Sequence, residues 1–179
     1  GENAVLVTES DSEGKFRFED IRFGKWIVRE LVPATGYVLN ETPIEVNIQT
    51  EGEVINISFE NKFIRSDIKG YKVDEDGKPV EGALFGLFTE DETEFTEERA
   101  VLTAKSDAEG VFFFDDVRFG KWVVKELKPA EGFVANDTVF PIDVTTDGAV
   151  IEIEAENRHI YGMVQTTCLP VPSLRSTLT

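Results

Sequence analysis

The chain repeats itself: Glu30 and Asn61 recur as Glu126 and Asn157, 96 positions further on in both cases, with no gap between them. A period of that length means that one structural unit is written twice, so any fold assigned to one copy must serve the other. The segments SDSEGKFRFEDIRFGKWIVRELVPATGYV, from Ser10, and SDAEGVFFFDDVRFGKWVVKELKPAEGFV, from Ser106, keep their apolar, glycine and proline positions while the charges drift. Constraint falls on what is packed rather than on what faces water.

Within each copy the pattern is that of strands. Phe112 and Phe114, Trp122 and Val124, and Ile151 and Ile153 alternate with residues that can face solvent, the two-residue period of a half-buried strand. Glycine-containing turns at 107–110, 118–120, 129–132 and 146–148 separate these runs, with no sustained helical periodicity between them. Short strands with regular turns predict an all-β sandwich.

The second copy opens with IKGYKVDEDGKPVEGALFGLF, from Ile68, read as a strand, an Asp-Gly turn and a second strand. The first copy has no counterpart, because Gly1 aligns near Glu97. The expected organisation is a truncated module over 1–64, a complete module over 65–160, and the start of a third module or a disordered tail over 161–179. The truncated module should carry unpaired strand edges or an unfilled core. Ile160 to Thr167 aligns with Ile64 to Tyr71, but Cys168 falls where Lys72 stands in the second copy.

Composition narrows the function. A balance of 18 Lys+Arg against 35 Asp+Glu, net −17, opposes binding to nucleic acid or to anionic membranes, both of which need clustered cations. No run of about 18 apolar residues is present, so this stretch of chain should make no membrane contact. A single cysteine gives no internal disulfide.

The combination YKVDEDGKPVEGALFGLF, SDAEGVFFFDDVRFGKWVVKELKPAEGFV and IEIEAENR resembles the Cna-B or SpaA-type repeat domains of Gram-positive surface adhesins and pilins. The resemblance covers residues 65–160 as one module and 4–64 as the later part of another. It implies tandem inverse immunoglobulin-like, prealbumin-like β-sandwich modules acting as rigid spacers at the cell surface, extracellular and non-enzymatic. It further implies an amide formed once between a first-strand lysine and a last-strand asparagine with help from a glutamate. These map onto Lys72, Asn157 and Glu126. Burial should lower the Lys72 pKa toward the nucleophilic amine and raise that of Glu126, letting the acid donate to the Asn157 carboxamide oxygen. Parity places Ile68, Gly70 and Lys72 on one face of their strand, consistent with an inward lysine. Without the resemblance, Lys72 reads as a solvated strand-end lysine, Glu126 as an edge charge and Asn157 as a cap. In the first copy Glu30 and Asn61 are present without a lysine partner.

Other signals are weaker. Asp74-Glu75-Asp76-Gly77 opens like a calcium loop, but Phe85 fills the twelfth position where a glutamate should close it, so a turn is expected. His159 and Cys168, the only histidine and the only thiol, support neither a triad nor a zinc site. No cofactor and no metal are expected, and His159 reads as a linker residue. Asn40, Asn56 and Asn136 head glycosylation-type triplets expected to be unmodified. Trp26 and Trp122 could stack sugars but sit in alternating strands, which favours packing. The expected partners are neighbouring modules of the parent chain. The alternative function is a binding module for a host matrix protein or a glycan, and a third reading is an accessory domain flanking an enzyme.

Overall fold

The computed structural model describes residues 4–165; Cys168 and the segment that follows it lie outside that range. Among the described residues nine strands make up the regular structure: β1 (Gly24–Val28), β2 (Ile44–Ile48), β3 (Arg65–Asp74), β4 (Leu84–Thr89), β5 (Leu102–Lys105), β6 (Val111–Arg118), β7 (Gly120–Lys128), β8 (Val139–Val144) and β9 (Val150–Asn157). No helix among the described residues is long and apolar enough to cross a membrane.

The second copy is a sandwich of a three-stranded sheet, ordered β6-β3-β9, and a four-stranded sheet, ordered β5-β4-β7-β8. β3 is central to the first, antiparallel to β6 and parallel to β9. Its side chains alternate between half-buried and buried along all ten residues, as the two-residue period demands of a strand with one face on a core. Between the sheets lie Ile68, Phe85, Leu87, Phe112, Phe114 and Val124, all essentially inaccessible. Phe85 of one sheet stacks on Phe112 of the other, with centroids 3.9 Å apart and planes 8° from parallel. The strand β5 was not legible in the sequence: LTAK is short, and three of its four residues are exposed, so it offers almost no alternation to read.

The first copy keeps only part of this. β1 and β2 pair in the register of β7 and β8, with Gly24 opposite Ile48 as Gly120 is opposite Val144. The counterparts of β6 and β9, residues 15–22 and 54–61, are not strands. The reason is visible in the second copy, where β6 and β9 hydrogen-bond only to β3 within their sheet. Among the described residues no strand takes that central place in the first copy. An open groove of about 1790 Å³ results, lined by Phe16, Phe18, Trp26, Val28, Val46 and Ile48 among others.

Candidate functional site

At one end of the sandwich, three polar side chains point into the apolar interior. Lys72 is fully buried, and Glu126 and Asn157 are 6% and 3% exposed. β3 brings Lys72 in by parity with Ile68 and Gly70. β9 runs parallel to β3 and sets Ala155 opposite Lys72 and Asn157 opposite Asp74, which makes Lys72 and Asn157 diagonal neighbours on the inward face. β7 in the facing sheet supplies Glu126. The solvated reading of Lys72 does not survive this burial.

The Asn157 amide Nδ2 donates to both Glu126 carboxylate oxygens, at 2.9 and 3.0 Å. A second donor, the Asn136 backbone amide, reaches Glu126 Oε2 at 2.7 Å. The carboxylate is thus an acceptor throughout, whereas the sequence led us to expect an acid donating to the carboxamide oxygen. The physical reason is that Asn157 turns its NH₂ group, not its oxygen, toward Glu126. Turning the amide by 180° would set two acceptors face to face unless Glu126 carried a proton. Asn157 Oδ1 is buried without a hydrogen-bond partner, a costly state for a polar atom in an apolar interior.

Lys72 Nζ donates to the carbonyls of Val73 at 2.8 Å and Ala155 at 3.0 Å. Burial pushes its pKa below the usual lysine value, against the pull of Glu126, Glu156 and Asp74. Removing a proton from this group is therefore easier than in water.

The first copy repeats the site without the lysine. Asn61 Nδ2 donates to Glu30 Oε2 at 2.6 Å and to Val38 O at 3.0 Å, and the Asn40 amide donates to Glu30 Oε2 at 2.7 Å. Asn40 and Asn136 are site residues that sequence reasoning took only for glycosylation-type triplets. Their side chains reach the Glu60 and Glu156 carbonyls at 2.9 and 2.8 Å, tying the loop that orients the glutamate to the last strand segment. Their retention at the repeat spacing was the available signal.

The remaining candidates resolve as follows. Asp74 Oδ1 accepts from the Asp76 and Lys78 amides at 2.9 and 2.8 Å, closing the turn, and Phe85 is core. Trp26 and Trp122 donate their indole N–H to the Arg22 and Arg118 carbonyls, both at 2.9 Å.

His159 is more than a linker. Its amide reaches Glu75 Oε2 at 3.1 Å, its ring Nδ1 lies 3.0 Å from the same oxygen, and the Tyr161 hydroxyl donates to Glu75 Oε1 at 2.7 Å. The Tyr161 hydroxyl first, then the backbone amide of Glu75 itself and the His159 groups, hold the Glu75 carboxyl down to about 2 against the opposing effect of desolvation. A depressed folded-state pKa means that this clamp stabilises fully above the ordinary glutamate range and is lost as pH falls toward and through about 2. A carbon-detected titration of Glu75 should show that low midpoint, and Tyr161→Phe should raise it.

Comparison with known proteins agrees with this architecture. The family model described as SpaA, prealbumin-like fold domain, matches residues 2–63 and 66–159. No curated protein sequence matches the chain. Among solved structures, the Bacillus anthracis TIE protein superposes with a TM-score of 0.79 at 22% identity, over 89% of this chain and 30% of that one. BcpA, the major pilin subunit of Bacillus cereus, gives 0.45 at 25% identity, over 52% of this chain and 28% of that one. GBS52, the minor pilin of Streptococcus agalactiae, gives 0.47 at 15% identity, over 90% and 71%. The chain therefore spans under a third of the length of the first two.

Proposed function

Because the chain belongs to the SpaA prealbumin-like fold domain family, we propose that it is a run of structural modules from an extracellular stalk or pilus of a Gram-positive bacterium. Residues 65–160 form one module, locked by an amide between Lys72 and Asn157, and residues 1–64 are the later part of another. The observation that carries this reading is a fully buried lysine at the end of the core where Glu126 grips the Asn157 amide nitrogen.

The step balances as follows. Neutral Lys72 Nζ attacks Asn157 Cγ, the Nζ–Cγ bond forms and the Cγ–Nδ2 bond breaks. Glu126 passes the proton released by Nζ to the departing nitrogen, on which it already sits, and ammonia leaves. The carboxylate ends as it began, and each chain reacts once. This is a structural protein, not an enzyme. The reading as a module that binds a host matrix protein or glycan has no contact among the described residues in its favour.

Intact mass under denaturing conditions tests the amide. The wild-type chain should fall short of its sequence mass by one ammonia, about 17 Da, and the deficit should vanish in Lys72→Ala. A single deficit is expected rather than two, because Glu30 and Asn61 face no lysine. A wild-type mass equal to that of the sequence would remove the amide from the proposal.

A further inference from the structure

The two copies meet through a contact that is half formed at either end of the described chain. Both copies finish alike: the Ile64 amide donates to Gly36 O and the Ile160 amide to Gly132 O, each at 2.8 Å. Tyr37 stacks on Phe63 with centroids 4.6 Å apart, and Phe133 lies on His159 at 4.4 Å.

Against the first of these exits sits the β6–β7 turn of the second copy. The Phe119 amide donates to Ile64 O at 2.9 Å, and the Arg118 guanidinium lies 4.7 Å over the Phe63 ring. The Phe119 ring covers Gly36 so closely that a Cβ there would come within 3.1 Å of it.

The same turn exists, uncovered, in the first copy. Asp20 and Asp116 share a left-handed backbone, φ 55 and 59, and the tryptophan-to-arginine bond braces both turns at the same length. Yet Phe23 is 81% exposed, against 37% for Phe119. At the other end, the Cβ position of Gly132 has nothing within 4 Å.

We propose that the Arg22–Phe23 turn and the exit formed by Gly132, Phe133, His159 and Ile160 are the two free halves of one docking contact, and that they join second copies of this chain head to tail. The turn already holds its docked conformation while free, so little ordering cost opposes binding. A head-to-tail contact does not close on itself in a pair and so propagates, as a stalk or filament requires. One ring and one cation make a small surface, so separate chains associate weakly. Within one chain, the peptide bond between copies supplies the effective concentration. The docking does not depend on the amide, and the two are read by separate measurements.

Disulfide trapping tests it, in a Cys168→Ser chain. The Cβ position at Gly36 lies 3.6 Å from Phe119 Cβ, the spacing of disulfide β carbons, so Gly36→Cys with Phe119→Cys should close within the chain. Phe23→Cys with Gly132→Cys is the same pair in trans. Oxidised at high concentration, it should give a ladder of dimers, trimers and longer chains, while either single variant stops at dimers. No ladder beyond the single variants, with the internal control closed, overturns the proposal. Cysteine at the positive φ of Gly36 or Gly132 is strained, so amide spectra ask the question without it. Raising the concentration of the unsubstituted chain should shift the Phe23 and Gly132 signals together, and Phe23→Ser should abolish both shifts. No concentration-dependent shift at either place overturns the proposal.

Discussion

Glu126→Gln should lower the melting temperature of residues 65–160 by roughly 20 to 35 °C. Glutamine keeps the volume and a hydrogen bond to Asn157, so the core is not emptied, but it cannot carry the proton from Lys72 to the leaving nitrogen. The amide would close a loop from Lys72 to Asn157, on the order of 85 residues, for which a cross-link is worth about 4.5 kcal/mol by loop-closure entropy. Each kcal/mol moves the midpoint of a domain this size by about 4 to 8 °C. The same variant should recover its full sequence mass. Glu30→Gln is the internal control, with no change expected in the ammonia deficit measured against its own sequence mass, because no lysine stands at the matching place in its copy. A shift of only a few degrees in Glu126→Gln, with wild type and variant each at its own full sequence mass, would mean that Lys72, Glu126 and Asn157 are joined by hydrogen bonding and packing alone.

Gly70→Ala should destabilise the same module by at least about 3 kcal/mol, at or beyond the usual upper range for core overpacking. Gly70 is the inward position two residues before Lys72, and a Cβ there would lie 1.9 Å from Cζ of Phe112 and 2.2 Å from its Cε1. The ring cannot step aside, since Phe85 stacks on it and Phe114 meets it edge-on at 6.0 Å. Either β3 moves outward, shifting Lys72 away from Asn157, or the aromatic cluster comes apart. Chemical unfolding should show the loss of stability, and intact mass should show a lower fraction of cross-linked chains. Adding Phe112→Leu should restore part of both. Unchanged stability in Gly70→Ala would mean that the sheet does not pass so near the ring.

These two predictions differ in how far the sequence foretold them. Lys72 and Gly70 were placed on one face by strand parity, because a two-residue period is a local property, displayed by all ten residues of β3. The repeat made Glu126 and Asn157 visible by pairing them with Glu30 and Asn61. What a string of residues does not carry is distance across the sandwich. Ring on backbone at Gly70, and amide nitrogen rather than oxygen on Glu126, follow only when β7 and β9 are folded around β3. Asn136 was misread for a related reason: its bond to Glu126 runs through its backbone N–H, which every residue but proline possesses, and the carbonyl that its side chain reaches lies 20 positions away.

The sequence by itself determined the repeat and the all-β class, because each follows from local periodicity or from alignment of the chain with itself. The tertiary structure alone decided the rest. It showed that β6 and β9 have no sheet partner except β3, which is why the corresponding segments of the first copy, although they keep their phenylalanines, form no strand. It also brought Glu75 to Tyr161 across 86 positions of chain and set Phe119 over Gly36. Such contacts join residues far apart in sequence, and hydrogen bonds and close packing act only over a few ångströms of folded space.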